Sequence, residues 1–438
     1  MYKILTIIVL NGMLMNSSFA QNFSLDESIS YALKNQENIK NVSIDRQIAE
    51  KKIKEGYALL YPQLKGVVDM RDNLILPTTI LPGTFLNRPA DQTLATQFGL
   101  QYTSTAALDA NWTIYDPTFF TGMKSLKLNN DIAANNLELQ NTNAKLNVSK
   151  AYYAALLSRE RLLLAQDNLT RYKLSLEDTK TLFGNQQAQD IDVTRAQLNY
   201  ANQEPELRRS QKLYEQSLNM LKYQMGYPVD SMIVITDTLL LKNIAPELVD
   251  GAGFSPENRI EYKSLRMQKT QDILNVRKNK LAYLPNLSLY GYFGGQSFKS
   301  TLDFNSKWYG VSYLGVKLNL PIFDGLQKSA LVQQSKLQLQ KRDNDIKSFE
   351  KQYNYEIQNA KVNVDNALSM IYIRKNNIAI AEKLSGITQT RFSQGLVTNI
   401  EVVNSQNSLI DAQINHLSAL YDYVTAKLEF DRVVNRIK

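Results

Sequence analysis

The sequence predicts a mainly α-helical chain that combines long coiled-coil hairpins with four strands of a membrane β-barrel. Three observations predict this fold: two long stretches nearly free of helix breakers, strand-like stretches in which apolar and polar residues alternate, and one order of landmarks that occurs twice. The 438 residues are 44% hydrophobic and 21% charged. Such a chain is globular and is long enough to bury a large apolar core.

The first 20 residues are predicted to be a secretory signal peptide (1–20) rather than part of the fold. Lys3 precedes an apolar run at positions 4–10, and the segment ends in the small-residue triplet Ser18-Phe19-Ala20. This order is typical of a signal peptide, here with cleavage after Ala20. The alternative, a membrane anchor, needs roughly 20 apolar residues, and Asn11 and Asn16 interrupt this run.

The composition argues against an enzyme and against a nucleic-acid-binding protein. The chain has no cysteine, hence neither disulfides nor thiolate metal ligands, and its one histidine, His416, falls inside a predicted helix. The net charge of +8 is spread over mixed clusters. A basic stripe with interleaved aromatic residues, as in nucleic-acid binders, is lacking. The sequence therefore predicts no catalytic residue, no cofactor and no metal site.

One order of landmarks occurs twice along the chain. A proline-containing junction between helix and strand, a junction between strand and helix, and a helical turn lie at 60–64, 114–116 and 183–193. They recur in the same order at 283–287, 322–324 and 392–402. Each copy is predicted to run helix, strand, strand, long helix, tight turn, helix. The predicted organisation is a first repeat at 21–230, a linker at 231–255 and a second repeat at 256–438.

Alternation of apolar and polar residues predicts two strands in each repeat, at about 62–76, 97–115, 285–297 and 308–322. From Phe98 to Ile114 the even positions are largely apolar and the odd positions largely polar. These strands exceed the usual five or six residues and have aromatic residues near their ends, which favours a membrane barrel over a soluble β-sandwich. Residues 76–96 and 297–307 are predicted loops, the first with three prolines.

Two long helices with returning partners are predicted to form coiled-coil hairpins. Between Pro117 and Gly184 only Gly122 interrupts a helical sequence, and at 1.5 Å per residue this span is roughly 100 Å long. The stretch from Gly325 to Phe392 is similar. Mostly apolar residues at three- and four-residue spacing predict the hairpin contact of the second copy. They are Ile400, Val403, Asn407, Ile410, Ile414, Leu417, Tyr421, Val424 and Leu428 on the returning helix, and Ile357, Ala360, Val364, Ala367, Ile371, Ile378 and Ala381 on its partner.

The first hairpin has the same spacing at Ile191, Leu198 and Ala201, but Pro205 falls where the second copy has Ile414. A proline inside a helix removes one hydrogen bond and kinks or breaks the helix. We therefore expect the first returning helix to be interrupted at this position.

Four strands cannot close a membrane barrel, since the smallest single-chain barrels use about eight. An open edge in lipid would leave unpaired amides, each costing several kcal/mol, so neighbouring chains must supply the missing strands. Two chains would give eight strands and three would give twelve. Twelve strands can enclose water whereas eight leave almost no interior gap, which favours three chains.

Several motifs resemble those of the TolC-like outer-membrane efflux factors. They are the tip Arg391-Phe392-Ser393-Gln394-Gly395, the run Leu218-Asn219-Met220-Leu221 before Gly226-Tyr227-Pro228, and Asn258-Arg259-Ile260-Glu261 at the start of the second repeat. The resemblance covers almost all of the mature chain. It implies a homotrimer with a twelve-stranded β-barrel in the bacterial outer membrane and a twelve-helix tunnel in the periplasm. Such ducts dock through their helical tips onto a periplasmic adaptor (a membrane fusion protein), which links them to the inner-membrane pump of an efflux or type I secretion system.

The resemblance also implies two sets of site residues at the hairpin tips. The adaptor-contact residues are Gly184, Gln186, Gln187, Gln394, Gly395 and Leu396, and the pore-constriction residues are Asp190, Asp192, Glu401 and Asn404. Gly395 matches the tip glycine of the family, whereas Gln186 stands at the matching place of the first tip. Asn404 replaces a second family acid. The alternative for the acids is an ordinary role in the first turn of a helix, where the macrodipole favours negative charge.

Two other functions fit parts of this pattern. A duct of the same build dedicated to secreting a peptide or polysaccharide has the same sequence features. A periplasmic coiled-coil adaptor or scaffold protein would explain the helical hairpins, but adaptors usually carry one hairpin and an inner-membrane anchor. The two hairpins and the alternating strands favour the duct.

Overall fold

The computed structural model describes residues 21–437 except 83, 85–88, 90–92, 239–253 and 302–306. The predicted signal peptide and most of the predicted linker lie outside the described residues. The described helices are α1 (Leu25–Asn35), α2 (Glu37–Ala58), α3 (Phe119–Gly184), α4 (Asp190–Met225), α5 (Ile260–Leu281), α6 (Gln327–Ser393) and α7 (Asn399–Val433). The strands are β1 (Gln21–Phe23), β2 (Gln63–Asp72), β3 (Thr78–Pro82), β4 (Thr93–Gln97), β5 (Tyr102–Tyr115), β6 (Ile233–Ile235), β7 (Asn286–Lys299) and β8 (Tyr309–Asn319).

The chain divides into two compact units, and the divisions fall inside helices. The helical unit comprises Met1–Asp45, Ala134–Ser264 and Ile346–Lys438, and the sheet unit comprises Arg46–Ala133 and Leu265–Asp345. In the part of the chain that the structure describes, no helix is apolar over a length that would cross a membrane.

The sheet unit contains a four-stranded antiparallel sheet in the order β2-β5-β7-β8. Residues paired across the strands share a face, and the pairing collects most apolar side chains on one face. These are Leu64, Val68, Met70, Ala106, Leu108, Ala110, Trp112, Leu289, Phe293, Leu314, Val316 and Leu318. Val68 on β2 is 88% exposed and Leu314 on β8 is 76% exposed. The predicted alternation thus gives a sheet with an uncovered apolar face.

The opposite face of this sheet is polar, with aromatic residues among the polar ones. Lys65 and Asp109 are paired there, and the ring of Tyr292 stacks on that of Tyr313 with centroids 5.1 Å apart. The ring of Tyr290 lies over Gly315, only 2.6 Å from where a Cβ atom would stand. A side chain at position 315 would therefore have to displace the ring of Tyr290.

A hairpin formed by β3 and β4 corrects the predicted loop at 76–96. Thr78 pairs with Gln97 and Ile80 with Ala95 in antiparallel register. The three prolines suggested a loop, but Pro82 ends β3, where a missing N–H is tolerated. Threonine and isoleucine favour strands, so the stretch between the prolines forms one.

The helical unit contains most of α3 and α6, which are 66 and 67 residues long, and all of α4 and α7. The predicted contact stripe of α6 is confirmed along most of its length, since Ile357, Val364 and Ile371 are buried together with Ala360 and Ala367. Side chains of α3, α6 and α7 share one hydrophobic cluster. The small alanines permit close approach of the packed helices.

The predicted stripe of α7 is wrong in part. Ile400 is 47% exposed and Ile414 is also exposed, whereas the neighbouring positions Val402, Leu409 and Leu420 are buried. On α4 the predicted contacts Ile191 and Leu198 are likewise exposed. These helices carry adjacent apolar stripes, and periodicity alone does not decide which stripe faces the same chain.

The expected interruption at Pro205 is also wrong, because α4 runs without a break from Asp190 to Met225. A proline deprives the helix of one hydrogen bond, at a cost of about 3 kcal/mol. The rest of this 36-residue helix keeps its bonds, and Ala196 and Ser210 on either side are buried. Packing on both sides of the proline therefore holds the helix together.

A small two-stranded sheet joins the start of the described chain to the segment after α4. β1 pairs in parallel with β6, and Ser24 caps α1 in a capping box with Glu27. Asp237 accepts hydrogen bonds from the Leu25 amide at 2.9 Å and from the Tyr152 hydroxyl at 2.8 Å. The sequence analysis predicted only a linker at 231–255, and it did not predict that β6 in this linker pairs with β1.

Candidate functional site

The two hairpins turn through the same backbone motif. In the first tip Gln186 has a left-handed conformation, with φ of 61°. Its N–H donates to the Phe183 carbonyl at 2.9 Å, and the N–H of Gln187 donates to the Leu182 carbonyl at 2.8 Å. This pair of bonds is a Schellman motif, which satisfies the last carbonyl groups of a helix.

The second tip repeats the motif 209 positions later, from Gln186 to Gly395. Gly395 has φ of 73°, its N–H donates to the Phe392 carbonyl at 2.9 Å, and the Leu396 N–H donates to the Arg391 carbonyl at 2.9 Å. Glycine adopts this conformation freely, whereas for a residue with a side chain it costs about 1–2 kcal/mol. Nothing lies within 4 Å of the place where a Cβ of Gly395 would stand.

Acidic residues cap the returning helices at both tips. The Gln189 N–H donates to Oδ2 of Asp192 at 3.1 Å, and the Thr398 hydroxyl donates to Oε1 of Glu401 at 3.3 Å. Asp192 also lies 3.8 Å from Arg195. These contacts fit the alternative interpretation of the acids as first-turn helix residues. A capping carboxylate that stays exposed still contributes its charge to the surface around it.

Residues of both tips line one cavity of about 650 Å³ in the helical unit. Among the predicted site residues, Gln186, Gln187, Asp192, Gln394 and Gly395 belong to its walls. The others are exposed and lie outside the walls: Gly184, Asp190, Leu396, Glu401 and Asn404. The fold therefore brings half of the predicted residues, from two distant parts of the sequence, to one place.

Asn399, which also lines this cavity, was not predicted as a site residue. It is 1% exposed, and its Nδ2 donates to the hydroxyl of Thr179 on α3 at 3.2 Å. The Thr179 hydroxyl in turn donates to the Ser175 carbonyl at 2.7 Å. The only signal in the sequence is an asparagine directly after a threonine cap, where the first tip has Asp190.

Three further polar contacts join α3 to α7. Their partners are Tyr172 and Asn407 at 2.7 Å, Arg161 and Ser418 at 2.9 Å, and Lys150 and Glu429, which form an ion pair. Burial raises the pKa of the Tyr172 hydroxyl, and the nearby charge of Asp411 raises it further. Neutral tyrosine therefore remains the donor to Asn407. With Thr179 and Asn399, these contacts define how one hairpin packs on the other.

Arg259, at the start of the second repeat, forms a buried charge cluster. Its side chain is 5% exposed and contacts Glu261 at 2.6 Å and Glu356 at 3.1 Å. Burial alone would lower the pKa of Arg259, but the hydrogen bonds to the two carboxylates raise it above its usual value. Burial likewise opposes the charge of Glu261, and the hydrogen bond from Arg259 outweighs it and lowers the pKa of Glu261. These two ion pairs thus link the start of α5 to the middle of α6.

Comparisons with known proteins agree with this architecture. Residues 266–436 match the family model described as outer membrane efflux protein. The chain is 23% identical over 295 residues to the alkaline protease secretion protein AprF of Pseudomonas aeruginosa, a match that covers 64% of this chain and 58% of AprF. It is 20% identical over 299 residues to the outer membrane protein TolC of Vibrio cholerae, covering 67% of each protein. The crystal structure of CusC superposes with a TM-score of 0.75 at 16% identity, covering 94% of this chain and 91% of CusC.

The fold is therefore that of the outer-membrane channel proteins, to which CusC belongs. The family model, the relatives and the solved structures all indicate an outer membrane efflux protein of the TolC family. The prediction made from the motifs is thus confirmed, and the periplasmic adaptor is not supported. Members of this family are channels and not enzymes.

Proposed function

We propose that this chain is the outer-membrane channel of a tripartite efflux or type I secretion system and forms a trimeric exit duct across the outer membrane and periplasm. One observation carries the proposal: the four-stranded sheet has an exposed apolar face and its edge strands β2 and β8 have no further partner in the described part of the chain. In water such a sheet is an aggregation site, whereas in lipid its apolar face is solvated. The match to the efflux family model supports the same location.

Closure of the sheet requires other copies of the chain. β2 of one copy pairs with β8 of the next, so that no edge remains unpaired in lipid. Three copies give twelve strands, and the polar face with Lys65, Asp109 and Asn111 then lines a water-filled interior. The apolar face points to the acyl chains.

The tips are the proposed docking site for a periplasmic adaptor. The cavity shared by the tips has walls rich in neutral amides, among them Gln186, Gln187, Gln189 and Gln394. The bare backbone at Gly395 lets a partner approach closely. An inner-membrane pump acts through this adaptor. AprF, by its name, serves protease secretion, and the family model is one of efflux proteins, so both classes of cargo are supported.

The variant Gly395→Trp tests the docking site. We expect export to fall to background while the oligomer remains, because a bulky ring fills the approach to the backbone of the tip. The measurement is export by cells that contain only the variant, together with a native gel of the detergent-solubilised protein. The matched control is Gly395→Asn, which tolerates the left-handed conformation with a small side chain.

Full export by the tryptophan variant would reject the tip as the docking site. The channel itself has a separate test, which is fractionation with and without detergent. A mature chain that stays in solution as a monomer and does not bind bilayers would reject the proposed duct.

Asp190, Asp192 and Glu401 are proposed to form a negative constriction near the tunnel mouth, repeated by the threefold symmetry. Glu401 and Asp190 are exposed and Asp192 is half-buried by its capping contacts, while Asn404 adds no charge. Glu401→Lys should weaken the block of single-channel current by divalent cations. Asp411→Lys, which makes the same charge change at an exposed position on α7, is the control. Unchanged block in the Glu401 variant would remove that residue from the constriction.

A further inference from the structure

The polar face of the four-stranded sheet combines aromatic with hydrogen-bonding side chains in two rows that cross all four strands. The first row, in the order β2, β5, β7, β8, is Lys65, Asp109, Tyr292 and Tyr313. The second row, in the same order, is Gln63, Asn111, Tyr290 and Gly315. Polar side chains therefore lie on β2 and β5, and aromatic rings lie beside them on β7 and β8.

Three of these rings form an aromatic corner, which consists of Tyr290, Tyr292 and Tyr313. The rings of Tyr292 and Tyr313 stack with 7° between their planes, whereas the Tyr290 ring makes an angle of 69° with that of Tyr313 at a centroid distance of 6.2 Å. The Tyr290 ring reaches over β8 because Gly315 leaves the space free. Tyr290 is 40% exposed and Tyr313 is 53% exposed, so both sides of the corner are open to a ligand.

The aromatic corner belongs to a cavity of about 710 Å³ at the end of the sheet where α2 ends and α3 begins. This volume lies within the range of small-molecule sites, which is about 300–1,000 Å³. Three aromatic residues near the helix ends extend the apolar part of the wall: Tyr61, Phe119 and Phe120. Asp109 and Asn111 on β5 supply hydrogen-bonding groups. An apolar wall with a few polar groups is typical of a ligand site.

The charges around this cavity are compensated, which favours a neutral ligand. Among the described residues, the charged side chains that line it are Lys65, Asp109 and Asp116. Lys65 stands directly opposite Asp109 on the neighbouring strand, where opposite charges attract. Oδ1 of Asp116 accepts a hydrogen bond from the Thr118 N–H at 2.8 Å next to the start of α3, whose dipole offsets the negative charge. Neither a cation nor an anion gains an uncompensated partner here.

We propose that this cavity binds a sugar ring of a neutral glycan on the inner wall of the duct. One face of a pyranose ring consists of C–H groups, whose slight positive charge suits the negative face of an aromatic ring such as Tyr290. The sugar hydroxyls both donate and accept hydrogen bonds, which matches the Asn111 amide and the Asp109 carboxylate. These two residues are two positions apart on β5 and thus share a face with the tyrosines that they pair with.

The inference rests on the proposed duct, because a glycan reaches the polar face only where that face is open to water. Closure of the barrel pairs the edge strands and leaves the polar face to the interior. Each copy of the chain then contributes one aromatic corner to the same channel. A glycan that binds there narrows the channel and lowers the ionic current through it.

Single-channel current through the full-length oligomer in a planar bilayer tests this site. The probes are maltohexaose, cellohexaose and chitohexaose, and the protein is purified in a detergent without a sugar headgroup, since such a headgroup would compete for the cavity. We expect at least one probe to interrupt the wild-type current, more often as its concentration rises. Tyr290→Leu should raise the dissociation constant about tenfold, because it removes a ring contact and keeps an apolar side chain.

Two further variants show whether the ligand is a sugar and whether the cavity is its site. Asn111→Val removes the amide but suits a strand, and it should raise the dissociation constant about fivefold by the loss of one hydrogen bond. Tyr309→Leu is the matched control, because it makes the same change as Tyr290→Leu on the polar face of β8 at a residue outside the cavity wall. This variant should bind the probes as the wild type does.

The outcomes separate the sugar site from the duct. A conducting wild-type oligomer whose current no probe interrupts would overturn the sugar site and leave the duct standing, as would equal dissociation constants for Tyr290→Leu and Tyr309→Leu. Sugar binding unchanged in Asn111→Val would show that stacking alone selects the ligand, which overturns its assignment as a sugar. A wild-type chain that forms no conducting oligomer would reject the duct itself.

Discussion

The two hairpin tips share both hydrogen bonds of the Schellman motif, yet they differ in the residue that takes the left-handed conformation. Gln186 holds it at one tip and Gly395 at the other. The turn is therefore fixed by the hydrogen bonds of the main chain and not by glycine. What the two residues change is the surface of the tip, since one presents an amide side chain and the other bare backbone.

The residues that open the returning helices differ more strongly. Asn399 is buried against Thr179, whereas its counterpart Asp190 is exposed. One position of the repeat thus belongs to the interior in the second hairpin and to the surface in the first. The amide suits the interior because it is neutral and donates a hydrogen bond, and the carboxylate suits the surface because it stays hydrated.

The largest expected effect is that of Asn399→Asp, which gives the second tip the residue of the first. We expect the free energy of unfolding to fall by about 3 kcal/mol, because an almost fully buried carboxylate would lose its donor role and lie beside an oxygen. The thermal midpoint of the solubilised protein measures this loss. Asp190→Asn, at the exposed counterpart, is the control and should shift the midpoint little in the dissociated chain. Equal midpoints for both variants would contradict the comparison of the two positions.

The lengths of the long helices and the alternation of the sheet were predictable because each depends on local periodicity. Phe183 and Phe392 mark the tips in the sequence itself, and the α6 stripe from Ile357 to Ile371 was correct. In these regions, short-range pattern and final packing agree.

The errors share a physical cause, which is that long-range contacts decide between local alternatives. Ile414 and Leu420 both lie on apolar stripes of α7, and only contact with α3 decides that Leu420 is buried. The pairing of β1 with β6 joins residues more than 200 positions apart. Asn399 was missed as a site residue because the sequence on either side of it does not indicate that Thr179, 220 positions away, covers it.

The next largest effect concerns the returning helices, where Pro205 on α4 corresponds to Ile414 on α7. Pro205→Ala should raise the free energy of unfolding by about 2 kcal/mol, because it restores one helical hydrogen bond and removes the clash of the ring. Hydrogen exchange of the amides around position 205 should slow in the variant. The matched change, Ile414→Pro, should accelerate exchange in α7. Unaltered exchange in Pro205→Ala would show that the helix has no strain at the proline.

The smallest effect is expected at the tip residue itself. Gln186→Gly relieves a left-handed conformation that costs a side chain about 1–2 kcal/mol, but the greater freedom of glycine in the unfolded chain takes back about 0.5–1 kcal/mol. The net gain should be below about 1 kcal/mol, and Gly395→Gln should reverse its sign. Thermal midpoints of the two variants give both values. If glycine were the better residue at one tip and the worse at the other, the two turns would not be equivalent.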